Sequence, residues 1–204
     1  MNKLFARFGK KSQTKEPIIV VSGLPRSGTS MMMKILSEGG LPIVTDELRS
    51  ADDDNPNGYF ELESVKQMAA GNVAWLSNAT GKVVKVISYL LEYLPSEYSY
   101  KVIFMEREIK EILASQLKML EHRKTSSHID DAEMEAKFQK HLAVVKPWLA
   151  RQPNMDVLYM SYNALMTDPE PHCRRVVEFT RAPLNLSRML AVPNAQLYRN
   201  RTSG

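Results

Sequence analysis

The sequence predicts an α/β fold, a three-layer sandwich with a central, mainly parallel sheet and helices on both faces. Three observations predict it. Short apolar runs rich in β-branched residues recur along the chain: Ile18–Ser22, Val83–Ile87, Val102–Met105 and Val157–Met160. They are continuously apolar rather than alternating, as strands covered on both faces are. Longer stretches with helical spacing separate them, which is the pattern of strand–helix–strand units and a parallel sheet.

The elements follow in order. Ile18–Ser22 reads as the first strand, and the helix after it carries Met31, Met32, Ile35 and Leu36 on one side and stops at Gly39-Gly40. A short strand is expected over Leu41–Val44. Asp52-Asp53-Asp54-Asn55-Pro56-Asn57-Gly58 is turn chemistry on the surface. Helix is expected from Glu61 to about Asn78, then the strands at 83–87 and 102–105. Ile109, Ile112, Leu113, Leu117 and Leu120 define a helix to His122. Residues 124–128 interrupt it, Asp130 to Leu149 forms the next helix, Asp156–Met160 the last strand and Pro171–Thr180 the last long helix.

The chain has 204 residues, 44% of them hydrophobic and 25% charged, which suits one globular domain with a substantial core. Five of its 27 basic residues (Lys3, Arg7, Lys10, Lys11, Lys15) fall in the first fifteen positions with no acid among them. That leaves 22 basic against 23 acidic residues, a net of −1, in the rest. Basicity is therefore a property of a tail, residues 1–16, ahead of a single domain at 17–204. The tail is read first as a solvated, mobile terminus; with Leu4, Phe5 and Phe8 it also has the composition for weak contact with an anionic membrane surface. Nucleic acid is not an expected partner of the domain. No apolar run approaches the roughly 20 residues of a membrane span, and no secretory signal is evident. The lone Cys173 is read as a packing residue, which fits a reducing, cytoplasmic location.

The chemistry concentrates in Gly23-Leu24-Pro25-Arg26-Ser27-Gly28-Thr29-Ser30, between the first strand and the first helix. The Gly23-x4-Gly28-Thr29-Ser30 frame is that of a phosphate-binding loop, P-loop NTPase-like, in which backbone amides and a helix N-terminus attract an anion. Thr29 stands where a nucleotide hydrolase needs Lys to reach the γ-phosphate, and Arg26 offers a replacement cation. The ligand expected is phosphate-bearing and not ATP. A second anion site is suggested by Arg107, just past the third strand, and Ser115, two helical turns on. Taken alone, that spacing is better read as a surface salt bridge from Arg107 to Glu106, Glu108 or Glu111.

Together these features resemble the sulfotransferase superfamily. Lys85-Val-Ile-x6-Leu94-Pro95 followed by Lys101–Arg107 is similar to that family's lysine-bearing strand, its Leu-Pro turn and the strand ending in Arg. Asn55-Pro56-x-Gly58-Tyr59-Phe60-Glu61 and Leu197-Tyr198-Arg199-Asn200-Arg201 resemble its short bacterial branch. The resemblance covers nearly the whole chain from Pro17. It implies transfer of a sulfuryl group from 3′-phosphoadenosine 5′-phosphosulfate (PAPS) to a hydroxyl or amine of an unidentified acceptor, a small molecule or a glycan. It places the 5′-phosphosulfate on Arg26, Ser27, Gly28, Thr29 and Ser30, and the 3′-phosphate on Arg107 and Ser115, as two separate cationic pockets. Lys85 is assigned to the leaving group, beside Arg26. Sulfuryl transfer resembles phosphoryl transfer, with a loose transition state whose charge spreads over oxygens, and Arg and Lys suit that demand.

One position departs from the pattern. The proton-accepting His of the small-molecule enzymes falls on Ile87, which accepts no proton. Glu61 is the first candidate for the base, as glycan-sulfating members use Glu, with Asp46 and Glu47 next; Glu61 also suits the first turn of a helix. His122, His128 and His141 are read as surface residues. Tyr59, Phe60, Trp75 and Tyr89 are candidates to line the acceptor pocket. No metal is expected. The rival readings are a small-molecule kinase on the same scaffold and a catalytically inactive nucleotide-binding protein.

Overall fold

The structure is a computed structural model that describes residues 16–46, 58, 60–122 and 130–193. Four strands form one parallel sheet: β1 (Ile18–Gly23), β2 (Val83–Lys85), β3 (Tyr100–Glu106) and β4 (Met155–Ser161), in the order β2-β1-β3-β4. Seven α-helices lie among the described residues: α1 (Thr29–Gly39), α2 (Glu63–Lys66), α3 (Ile109–His122), α4 (Asp131–Leu149), α5 (Tyr162–Thr167), α6 (Pro169–Thr180) and α7 (Leu186–Leu190).

The continuous apolar runs have a simple cause in this architecture. Successive side chains of a strand point to opposite faces, and both faces of β1 are core. Ile18 and Val20 join Val84, Val102 and Phe104 in a cluster closed by Val65, Leu76, Leu91 and the α4 residues Val145 and Leu149. Ile19 and Val21 join Ile103 and Met105 in a second cluster closed by Met32, Ile35 and Leu36 of α1, Cys173 and Val176 of α6, and Met189 of α7. The three layers expected from the sequence are present. Cys173 is one of these packing residues, and burial lifts its thiol pKa to about 11.

Several boundaries differ from expectation. The Leu41–Val44 strand reduces to a single parallel bridge, Ile43 to Val83, so that segment merely flanks the edge strand β2. β2 itself ends at Lys85, and residues 88–93 wind into a 3-10 helix. The expected helix from 61 to 78 is broken into α2 and two 3-10 turns, Met68–Ala70 and Ala74–Asn78. Gly71 and Asn72 interrupt it, where the chain doubles back and the Asn72 amide bonds to the Gln67 carbonyl.

Parallel register fixes what stands next to what. Glu106 of β3 pairs with Ser161 of β4, and Gly23 of β1 pairs with Met105 of β3. The residues just beyond those ends, 24–30, 107 and 162–163, are therefore neighbours, because adjacent strands lie only about 4.8 Å apart. Ligands of open α/β sheets bind at this end.

Candidate active site

The loop after β1 is shaped for close approach. A Cβ on Gly23 would stand 2.5 Å from Ser27 Oγ and 2.6 Å from the Met105 carbonyl oxygen, so only glycine lets the loop pack on the end of β3. Gly28, at φ 99°, opens α1 in a left-handed conformation with its α-carbon against the Tyr162 ring. No side chain caps that helix end and its first turn carries no acid, which leaves its positive pole for an anion. Leu24 anchors the loop from below on Ile112, Leu113 and Phe138.

The two predicted anion sites meet. Arg26 Nε donates to Ser115 Oγ at 3.0 Å, and Arg107 Nη1 donates to the Arg26 carbonyl oxygen at 3.2 Å. They are one continuous cationic wall rather than two separate pockets, because β1 and β3 are hydrogen-bonded neighbours. The surface salt bridge considered for Arg107 is instead a buried one. Arg107 Nε lies 2.9 Å from Glu111 Oε2, with the two side chains only 7% and 2% exposed. Asn163 Nδ2 donates to the other Glu111 oxygen at 3.0 Å, and the Arg107 guanidinium lies 4.3 Å from the centre of the Tyr162 ring. Burial raises the pKa of the Tyr162 hydroxyl, with the Arg107 charge opposing, so the phenol stays protonated.

Tyr162 and Asn163 are candidate site residues that the sequence reading did not single out, and Glu111 was named there only as a possible surface salt-bridge partner of Arg107. For Glu111 a signal existed, since Arg107, Glu111 and Ser115 recur at a spacing of four, one face of a helix. For Tyr162 and Asn163 the signal was their place directly after the last strand.

On the other side of the loop, Lys85 Nζ lies 3.4 Å from Ser30 Oγ and 3.9 Å from Glu61 Oε1. Lys85 is thus no water-seeking edge lysine; its side chain is 10% exposed and turned toward the start of α1. Phe60, just before Glu61, has φ 49°, a conformation costly for a non-glycine residue and typical of sites. The Glu61 carbonyl accepts from Thr45 Oγ1 at 2.8 Å and from the Asp46 amide at 3.3 Å. Asp46, second in line for the base, accepts the Glu63 amide at 2.6 Å and serves the start of α2. Glu47, Tyr59, His128, the 52–57 turn and residues 197–201 lie outside the described residues.

His141 is a correction. It is not a surface residue: its Nε2 lies 2.9 Å from Ser88 Oγ and its ring stacks on Tyr89 at 3.7 Å and 20°. A helix face that also buries Phe138 and Val145 brings it there. Burial lowers its pKa, so the imidazole is neutral at pH 7. Tyr89 is 38% exposed, whereas Trp75 packs against the core.

The donor set fits a phosphate-bearing group. Ser27 Oγ is buried and has no hydrogen-bond partner among the described residues, a hydroxyl that burial alone leaves costly. It stands in a glycine cradle between a helix start and Arg26. Among the described residues, no group of three or more His, Cys, Asp or Glu side chains is placed to hold a metal ion, and no helix is long and apolar enough to cross a membrane.

Comparisons with known proteins bear on the family and the fold. Residues 16–199 match a family described as sulfotransferase domain. Mouse sulfotransferase SULT7A1, solved in complex with PAP, is similar in structure with a TM-score of 0.54 and 17% identity, over 89% of this chain and 63% of that one. That likeness speaks to the fold. A sulfotransferase domain from the curacin biosynthetic pathway (TM-score 0.49, 14% identity, 86% and 77% coverage) and a sulfotransferase from Alicyclobacillus acidocaldarius (0.47, 13%, 88% and 85%) are further similar structures. No curated protein sequence matches the chain.

Proposed function

The chain belongs to the sulfotransferase domain family, and from that premise we propose that it passes the sulfuryl group of PAPS to a hydroxyl or amine of an acceptor. Membership in the family favours this reading over the small-molecule kinase. The observation that carries the reading is the convergence of Arg26, Ser115 and Arg107 in one hydrogen-bonded wall at the carboxyl ends of β1 and β3. A wall of this kind suits an adenosine carrier with phosphate groups at both its 3′ and 5′ positions.

The residues divide the work. The α1 amides, Ser27 Oγ and Arg26 would hold the 5′-phosphosulfate, and Arg107 with Ser115 the 3′-phosphate. PAPS supplies an activated sulfuryl group. Lys85, held beside Ser30, faces the charge that grows on the departing phosphate, and a fixed cation there stabilises the transition state more than the ground state. Glu61 would take the acceptor's proton. Its carboxylate stands next to Lys85, so base and leaving-group cation flank the same end of the loop.

Thermal unfolding with 3′-phosphoadenosine 5′-phosphate (PAP), adenosine 5′-monophosphate and ATP–Mg tests the reading. Any ligand at about a hundred times its dissociation constant adds roughly 2.7 kcal/mol. At equal concentration PAP should stabilise the protein well beyond the other two. Equal stabilisation by the monophosphate, or a larger effect of ATP–Mg, overturns the proposal.

A further inference from the structure

We propose that Glu111 is a positioning residue that holds the Arg107 guanidinium in the plane that receives the nucleotide's 3′-phosphate. This rests on the reading of Arg107 given above. A buried carboxylate beside a phosphate grip is, by charge alone, a liability, since it repels the ligand. Its position calls for a compensating gain, and the hydrogen bonds show what that gain is.

Arg107 is pinned from three directions: Nε to Glu111 at 2.9 Å, Nη1 to the Arg26 carbonyl at 3.2 Å, and one flat face over the Tyr162 ring at 4.3 Å. A free arginine has many rotamers to lose, and a ligand that orders it must offset that loss. Here the order exists beforehand. Glu111 is itself fixed, because Asn163 donates to its second oxygen at 3.0 Å. Its place in the first turn of α3 adds the favourable pole of that helix. The chain Asn163 to Glu111 to Arg107 to the Arg26 carbonyl thus ties the start of α5, α3 and the residue just past β3 to the phosphate loop. A pair needed only for stability has no reason to reach the loop's main chain.

The alternative is a buried ion pair that merely supports the fold. The two differ in sign and selectivity. Calorimetric titration of PAP and adenosine 5′-monophosphate into Glu111→Gln separates them, since this variant keeps the shape and removes the charge. If Glu111 positions Arg107, PAP affinity falls about tenfold or more while the monophosphate binds within about twofold of wild type. If the carboxylate only repels the ligand, PAP binds more tightly. If it only supports the fold, both ligands weaken together or neither changes. Either of those results overturns the proposal. A wild-type protein with no preference for PAP removes the reading of Arg107 and this proposal with it, whereas a preference that survives Glu111→Gln overturns this proposal alone. Should Glu111→Gln fail to fold by circular dichroism, Asn163→Ala decides. It leaves the ion pair in place and loosens it, so a selective PAP loss of about threefold is expected, and an unchanged ratio refutes.

Discussion

Replacing Gly28 with Ala tests how the phosphate loop is held. The backbone there has φ 99°, and a Cβ would run into the Tyr162 ring. Two costs combine. The left-handed conformation costs an L-residue about 1–2 kcal/mol, and forcing a packed ring aside costs about 1–3 kcal/mol. The total, about 2–5 kcal/mol, corresponds to a melting drop of about 4–20 °C at about 2–4 °C per kcal/mol for a domain of this size. Gly40 supplies the control. It too is left-handed, at φ 108°, but a Cβ there meets nothing within 4 Å, so Gly40→Ala pays the conformational cost alone, about 2–8 °C. Scanning fluorimetry of both variants isolates the ring contact as their difference. Because the displaced ring lies under Arg107, Gly28→Ala should also lose stabilisation by PAP, which Gly40→Ala should keep. Equal melting temperatures and equal PAP shifts in the two variants would refute the packing of the loop on Tyr162.

Three further outcomes are expected. Lys85→Met keeps the aliphatic stem and removes the cation, so turnover should fall about 10²–10³-fold with PAP affinity within about threefold; a rate within fivefold of wild type counts against the leaving-group role. On whichever acceptor reacts in a panel of phenols, amino alcohols and sugars, Glu61→Gln should cost about 10²–10⁴-fold in turnover and leave PAP binding unchanged, and an unaltered rate would move the base elsewhere. Burial of His141 lowers its pKa from 6.5, so below pH 6.5 the unfolded chain takes up a proton that the folded one refuses, and stability falls as pH drops through the folded value. His141→Gln should flatten that acid loss in denaturant midpoints compared at pH 7.5 and 5.5, and parallel losses in both proteins would show that other groups carry it.

The sheet was legible because its chemistry is local. Ile18–Val21 and Val102–Met105 have no polar face to show, and a strand without one belongs in the middle of a sandwich. The residues from 61 to 78 misled because Val65, Met68 and Leu76 bury as helical residues do, while Gly71-Asn72 sets the break. In the site, the glycine spacing announced the loop, and the Arg107–Ser115 spacing gained meaning only beside it. What stayed hidden depends on register between distant strands. Nothing in Tyr162 or Asn163 as residues marks them, and they matter because Ser161 pairs with Glu106. His141 was misread for a similar reason: one helical turn decides whether a polar side chain on a half-buried helix meets water or Ser88.

The strand order β2-β1-β3-β4 has a consequence for how such a protein can change. β1 sits between two flanks. Arg107, Glu111, Ser115, Tyr162 and Asn163 belong to one, Lys85, Glu61 and the 41–46 segment to the other, and the loop after β1 touches both, through Arg26 and Ser30. Remodelling along residues 41–46 and 60–90 can accordingly retune what approaches the β2 side without redrawing the far wall. A chimera that exchanges these stretches with a relative's, and keeps the β3–β4 flank, is the natural starting point for altering one half of the cleft at a time.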